Sequence, residues 1–236
     1  MRLHLSKIKA FSQCPAYYNF TKDLISITPS HRVSIFTKLI QRCYQKQLQT
    51  RKLVNWRNLL SWVDTEVFRY INISEEDAYD KAKSLTDSIV HPLNAWYFNY
   101  YKPFPVEAYI NVPVKQIIGG IEVYDICPVI KISDPISIVI VADKPYTQIQ
   151  LYNDIHLRGL LYLLAQQLET PEIKADYFLL GATRRLEHLS IKSSEKLNKR
   201  TESSIAQISN AILNKVCYPS ITTMCDNCQF FSECIL

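Results

Sequence analysis

The sequence predicts an α/β protein in which a mixed central β-sheet is flanked by helices and preceded by a helical N-terminal portion. Apolar residues recur at helical spacing through roughly the first hundred positions. From Pro103 onward the period changes, and alternating or β-branched runs typical of strands take over. Three strands, a helix, a strand and a last helix then follow in turn, an order that favours a sheet covered by helices.

Six segments have the apolar spacing or the capping residues of helices. They are a short helix capped by Ser6, residues 34–50, residues 54–70, a helix from Ser74 to about Tyr100, a helix capped by Asn153 and Asp154, and residues 201–216. The segment from Ser74 also has acidic residues in its first turn, where they suit the helix dipole. The first hundred residues are therefore predicted to be mostly helical.

The predicted strands are 106–112, 117–125, 136–142 and 176–183, with 187–192 pairing with the last of them. Residues 136–142 are the most β-branched, which predicts a central strand buried on both faces. Gly119 and Gly120 lie inside the second of these segments and form no phosphate-binding glycine motif.

Length and composition favour one domain, with 30–102 as a helical insertion and 217–236 as a cysteine-rich, cluster-binding tail. No apolar run approaches the ~20 residues of a membrane-spanning helix, and the first residues lack the apolar core of a signal peptide. Clustered thiols without an export signal indicate metal ligands in the cytoplasm rather than disulfides. A net charge of +5 is compatible with a nucleic-acid partner.

Three of the seven cysteines, Cys225, Cys228 and Cys234, lie within ten residues of one another in the tail, and Cys14 lies near the start. Four thiolates that converge suit an iron–sulfur cluster or a zinc ion, and the spacing does not decide between them. If Cys14 completes the set, the metal group joins the N- and C-termini.

The two ends of the chain also carry longer motifs. The first reads Leu5-Ser6, Ile8, Phe11, Cys14-Pro15 and Tyr18, and the last reads C-x2-C-x-F-x3-C from Cys225 to Cys234. In both, the chain resembles the RecB-like iron–sulfur branch of the PD-(D/E)XK nucleases, which includes the AddB nuclease domain and the CRISPR adaptation nucleases. The resemblance implies a restriction-endonuclease-like fold, a [4Fe–4S] cluster on the four cysteines and Mg²⁺- or Mn²⁺-dependent DNA cleavage.

The active-site motifs of that family are altered here. The family has a G-x-x-D strand, a (D/E)-x-K strand and a Q-x3-Y helix. Glu122 stands at the first carboxylate position, and Ala142 stands where the acid before Lys144 belongs. Arg158 replaces the glutamine, and Tyr162 is retained. Loss of carboxylates removes both charge and geometry from a Mg²⁺ site.

Other assignments of the active-site residues remain open. Asp125 is an alternative metal ligand, with Glu107 near it on the preceding strand, and Glu172-Ile-Lys174 is an alternative E-x-K. Asp143 follows Ala142, but adjacent strand residues point to opposite faces, so it cannot replace the acid without a bulge. No histidine occurs between His31 and His91, where the family motif would place one.

We therefore expect a catalytically inactive, cluster-containing module that binds DNA, single-stranded or at a duplex end, within a larger assembly with a protein partner and away from membranes. Its predicted nucleic-acid contacts are Arg158, Tyr162, Arg184 and Arg185. One alternative is an active Mg²⁺- or Mn²⁺-dependent exonuclease that uses Glu107, Glu122 or Asp125 with Lys144. A second alternative is a zinc-stapled scaffold for protein interactions. The sequence alone does not decide whether the protein is an enzyme.

Overall fold

The computed structural model describes residues 2–21, 30–71, 77–101, 107–143, 147–181 and 185–217, together with Cys225, Cys228 and Cys234. The helices are α1 (Leu5–Gln13), α2 (Pro15–Thr21), α3 (His31–Thr50), α4 (Trp56–Phe68), α5 (Ala78–Asn99), α6 (Gln148–Asn153), α7 (Ile155–Gln167) and α8 (Glu195–Leu213). The strands are β1 (Arg2–His4), β2 (Glu107–Ile118), β3 (Ile121–Ile132), β4 (Ser137–Ala142), β5 (Lys174–Leu180) and β6 (Leu186–Lys192).

These strands form one mixed sheet in the order β1-β3-β4-β5-β6, with β2 paired to β3. The β2–β3, β3–β4 and β5–β6 pairs are antiparallel, whereas β1 runs parallel to β3 and β4 runs parallel to β5. The predicted α/β class with a mixed sheet and a helical N-terminal portion is confirmed.

Helices cover both faces of the sheet and give it two apolar cores. One core lies under α1, α7 and α8, and the other lies under α3, α4 and α5. Side chains of β4 alternate between them: Ile138 is buried in the first and Val139 in the second. β4 is therefore the central strand, buried on both faces, that its β-branched sequence predicts.

The glycine pair is the clearest departure from the predicted strands. Gly119 and Gly120 do not lie within a strand but form the two-residue turn between β2 and β3, with Ile118 paired to Ile121 across it. Both glycines have positive φ angles, 57° and 80°. Glycine adopts this backbone without steric cost, and such turns match the twist of the flanking strands. The apolar pattern continues across the turn, which hides it in the sequence.

Helix boundaries also differ in part. The cap of α1 is His4 rather than Ser6, because the backbone N–H of Ser6 donates to His4 Nδ1 at 3.2 Å. α8 begins at Glu195, earlier than predicted, with Ser194 as its cap. The predicted helices at 34–50 and 54–70 are confirmed as α3 and α4, and residues 74–76 of the next lie outside the described part. No described helix is long and apolar enough to cross a lipid bilayer.

Candidate functional site

The candidate site centres on Asp125 of β3, which is only 6 % exposed. Nε2 of His156 lies 2.8 Å from its Oδ2, and Nε2 of His4 lies 3.2 Å from its Oδ1. His4 is the last residue of β1, and His156 is in the first turn of α7. Each oxygen of the carboxylate therefore has an imidazole partner, and the three residues link β1, β3 and α7.

The sheet explains why Asp125 is reachable from α7. β2 covers one edge of β3 along its whole length. On the other edge β1 pairs up to Tyr124, and β4 pairs from Ile130. Asp125 is the first residue of β3 beyond the segment that pairs with β1. It lies at the start of a stretch of β3 that has no described partner strand on this edge. A helix N-terminus can approach this gap.

Asp154 fixes the position of His156. The Oδ1 atom of this helix cap accepts the backbone N–H groups of His156 and Leu157 at 2.9 and 3.1 Å. Lys9 of α1 donates to Oδ2 at 2.6 Å. The first turn of α7 is thereby held between α1 and β3, with the imidazole directed at Asp125.

Hydrogen bonds outweigh burial in their effect on the pKa of Asp125. Burial acts to raise its pKa, but the hydrogen bonds from His156 and His4 hold the pKa well below its usual range. The residue is therefore a carboxylate at neutral pH. Because both oxygens already have partners, a metal ion would have to displace the imidazoles or share the carboxylate with them.

The two glutamates predicted as metal ligands do not join Asp125. Glu122 forms an ion pair with Arg2. Glu107 pairs with Ile132, whereas Asp125 pairs with Val114, seven residues farther along β2. At ~3.3 Å per residue this separates Glu107 from Asp125 by roughly 23 Å. The predicted proximity of Glu107 and Asp125 is wrong, because the hairpin is longer than the sequence pattern indicated.

The end of β4 lacks an acid on the face of Asp125. Ala142 packs against the core under α7, while Asp143 contacts Ser30 and Arg32 at the start of α3 on the opposite face. This alternation is as predicted. Lys144 lies outside the described residues. Within the described part of the chain, no three His, Cys, Asp or Glu side chains form a group that could hold a metal ion.

Two predicted nucleic-acid contacts are buried on α7. Arg158 is 8 % exposed and Tyr162 is 3 % exposed. Burial and the interaction with Glu202 of α8 raise the pKa of Tyr162 to about 12, so this ring is part of the helix interface and not a surface for base stacking. Arg185 is exposed just before β6. Arg184 lies outside the described residues.

The predicted cluster ligands lie at the two chain ends. Cys14 is buried between α1 and α2, and the backbone N–H of Tyr17 donates to its Sγ at 3.4 Å. Asn19 donates to the carbonyl of Val216, close to the tail, at 3.2 Å. The N-terminal helices thus contact the segment that leads to the other cysteines.

The thiols also influence one another. Desolvation and the thiols of Cys14, Cys228, Cys225 and Cys217 raise the pKa of Cys234. The chemistry of this donor set fits an iron–sulfur cluster or zinc, although the thiols do not form a preassembled metal-holding group. The other three cysteines, Cys43, Cys127 and Cys217, have the sequence context of small buried apolar residues. Cys43 and Cys127 are buried in the two cores, and burial raises the pKa of each to about 12, whereas Cys217 is exposed, so the prediction is wrong for Cys217.

A second buried carboxylate was missed in the sequence. Asp176 of β5 lies 2.8 Å from the Nζ atoms of Lys131 and Lys174 and 3.0 Å from Nε2 of His188. Burial acts to raise its pKa, but these three partners hold the pKa below its usual range. Lys174 and Asp176, at alternate positions of an apolar strand, are the sequence signal for this cluster.

No protein-family model matches the chain, and no curated protein matches it. Among solved structures, the "Putative exonuclease" from Eubacterium rectale is similar, with a TM-score of 0.60 and 10% identity, over 97% of this chain and 87% of that one. The structure of SSO0001 has a TM-score of 0.47 and 11% identity, over 99% and 85% of the two chains. The chain therefore shares the fold of the Eubacterium rectale protein.

Proposed function

We propose that the protein is a nucleic-acid-binding module that uses a nuclease-like fold to hold DNA without cutting it. The observation that carries the proposal is the pairing of both Asp125 oxygens with His156 and His4. Mg²⁺ takes near-octahedral oxygen coordination, in which one or two carboxylates with free oxygens usually anchor the ion and waters complete the shell. With Ala142 at the position of the second acid, no other described carboxylate supplements Asp125 on this face.

The likeness of the fold to the exonuclease supports a nucleic-acid partner. The net charge of +5 supports the same class of partner, because phosphate contacts by basic side chains provide most non-specific affinity for DNA. Arg185 is an exposed candidate for such a contact, and Arg184 and Lys144 are further candidates. We also propose that the protein is cytoplasmic and acts with a protein partner. A nuclease-like fold that has lost its catalytic carboxylates would be retained because it binds other molecules.

The four cysteines complete the proposal. Cys14, Cys225, Cys228 and Cys234 would hold a [4Fe–4S] cluster, with zinc as the alternative, and the bound group would cross-link the chain ends. The N–H of Tyr17 on the Cys14 sulfur supports this, since such hydrogen bonds are typical around ligating thiolates. The contact between Asn19 and Val216 supports the approach of the two ends.

An active Mg²⁺- or Mn²⁺-dependent exonuclease is the second candidate. It is favoured by the chemistry of the residues around Asp125, because Mn²⁺ accepts imidazole nitrogens as well as carboxylate oxygens. In that case His4 and His156 would turn from hydrogen-bond partners of Asp125 into metal ligands beside it.

Binding is tested with anaerobically purified protein and fluorescein-labelled DNA, single-stranded or duplex, in EDTA. We expect fluorescence anisotropy to show binding whose affinity falls steeply with salt. Arg185→Gln should weaken it, and Arg57→Gln, which removes the same charge from the exposed face of α4, should not. Absence of binding to either DNA at low salt would refute the proposal.

A further inference from the structure

An apolar groove of about 440 Å³ lies between α4 and α5, on the surface of the helical portion. Its lining includes the buried side chain of Val67 and the short, half-buried side chains of Ala78 and Ala82. Phe68 of α4 and Tyr79 of α5 also line it and are 59 % and 78 % exposed. Because α4 and α5 cover the face of the sheet opposite α7, this groove is separate from the candidate site.

Two exposed aromatic rings beside an apolar groove are a feature of binding surfaces. Single exposed apolar side chains are common on proteins, but apolar side chains gathered around a concavity mark a contact with another molecule. Large aromatic side chains are also enriched among the residues that contribute most to binding at protein interfaces. Phe68 and Tyr79 therefore indicate that a protein surface covers this groove.

The charged residues at the groove have both signs. Asp64 of α4 and Asp87 of α5 line it together with Lys83 of α5. A partner of uniform charge would be attracted by one sign and repelled by the other. A second copy of this chain, related by a two-fold axis, presents its lysine to the acids and its acids to the lysine. Each copy also has both a protruding ring, that of Tyr79, and a groove to receive one, so the surface is self-complementary in shape as well as in charge.

We propose that this groove is the interface of a symmetric dimer, in which α4 and α5 of one copy pack against α4 and α5 of the other. Tyr79 of each copy enters the groove of the other copy, and Lys83 approaches Asp64 and Asp87 across the two-fold axis. This interface goes beyond the proposed function and does not depend on nucleic-acid binding.

The size of the surface sets the expected strength of the dimer. The exposed parts of Phe68 and Tyr79 supply roughly 200–350 Å² per copy. The other apolar residues of the lining are small or already half-buried, so the total stays below the ~800 Å² per partner of a standard interface. We therefore expect a weak dimer, with a Kd in the micromolar range or above.

Sedimentation velocity on the whole, anaerobically purified chain without DNA tests the dimer at micromolar to submillimolar concentrations. We expect the wild-type sedimentation coefficient to rise with concentration from the monomer value toward the dimer value. Tyr79→Ala removes the inserted ring and should weaken the dimer at least about tenfold. The matched control Tyr109→Ala removes an exposed tyrosine from β2 and should leave the dimer unchanged. The thermal unfolding midpoint checks that both variants are folded.

An exchange of charges tests the two-fold arrangement. Lys83→Glu makes the groove wholly acidic and should weaken self-association, and the double variant Asp64→Lys, Asp87→Lys makes it wholly basic and should do the same. A mixture of the two variants should form a heterodimer, because each then meets the opposite charge on the other. Two variants that associate no better when mixed than alone would contradict the pairing of Lys83 with the acids.

Two further results would overturn the dimer. One is a wild-type chain that stays monomeric over the whole concentration range, which would leave the groove to a different protein. The other is a dimer that persists unchanged in Tyr79→Ala and in both charge variants, which would place the interface elsewhere. Neither result bears on the proposed function, which is measured separately by DNA anisotropy.

Discussion

Nε2 of His156 lies 2.8 Å from Oδ2 of Asp125, and this contact joins the first turn of α7 to the middle of the sheet. His4 approaches the other oxygen from β1. The three residues are far apart in sequence, so they meet only once the β2–β3 hairpin, β1 and α7 are all in place. Asp125 is therefore a junction of the fold as well as the centre of the candidate site.

Replacement of Asp125 by asparagine should destabilise the protein. The charge-assisted hydrogen bonds to His156 and His4 are lost or weakened, and we expect a decrease of about 2–3 kcal/mol in the free energy of unfolding at pH 7. Urea denaturation followed by circular dichroism measures it. Asp64→Asn, a matched change at an exposed position of α4, should stay within about 0.5 kcal/mol of wild type.

The same variant tests the sign of the pH dependence. The pKa of Asp125 is held below its ordinary value of 3.8, so its contribution to stability is present above that value and is lost as the pH falls toward the folded-state pKa. The wild-type unfolding temperature should therefore fall more steeply than that of Asp125→Asn below about pH 4. Parallel curves for the two proteins would contradict the assignment.

Asp176→Asn should destabilise the protein by about 3–5 kcal/mol, because it leaves the cations of Lys131 and Lys174 together without an anion. Lys131→Met should cost less, since Lys174 and His188 still pair with the carboxylate. Lys115→Met, at an exposed position of β2, is the matched control. Denaturant unfolding measures the loss of stability in each variant. A larger loss for Lys131→Met than for Asp176→Asn would contradict the central role of the Asp176 carboxylate in this cluster.

Gly159→Ala should cost about 1–3 kcal/mol through overpacking of α1 against α7. A Cβ at this position would lie 2.6 Å from Cδ2 of Leu5, which is fully buried. Leu5→Ala alone removes buried surface and should also destabilise. The double variant should cost less than the sum of the two, because the cavity accepts the new methyl group. Additive costs in a double-mutant cycle would show that the two residues do not touch.

Cys14→Ser should abolish the visible absorbance of anaerobically purified protein and give insoluble or protease-sensitive material, and Cys228→Ser should do the same. The site would close a loop of about 210 residues, which favours a large contribution to folding. Iron, sulfide and zinc analysis distinguishes the cluster from zinc, since a zinc protein is colourless. Cys217→Ser serves as the control. Soluble, unchanged protein from both variants would refute a structural metal site.

Much of the fold could be predicted from sequence because periodicity records burial. The β-branched run before Ala142 predicted the central strand, and the apolar stripes of α3 and α4 predicted the helices on one face. β1 was missed because three residues carry no readable period. The turn at Gly119 and Gly120 was missed because the apolar pattern on either side continued through it.

The candidate site was less predictable because it depends on register and on tertiary pairing. Asp125 was singled out, but its partners were not, since His4 reaches it through the parallel pairing of β1 with β3 and His156 through the docking of α7. The predicted role of Glu107 failed for the same reason: its distance from Asp125 is set by the register of a long hairpin. Alternation did correctly place Ala142 and Asp143 on opposite faces.

The most direct test of a module that binds but does not cut is a cleavage assay on anaerobically purified protein. The substrates are 5′- and 3′-labelled single- and double-stranded DNA, with Mg²⁺ and Mn²⁺ tested separately and EDTA as the blank. We expect no cleavage with either metal under conditions in which the same DNA is retained in a gel shift. Metal-dependent cleavage that is lost in Asp125→Asn, or in Lys144→Ala, would contradict this function and make Asp125 a catalytic metal ligand.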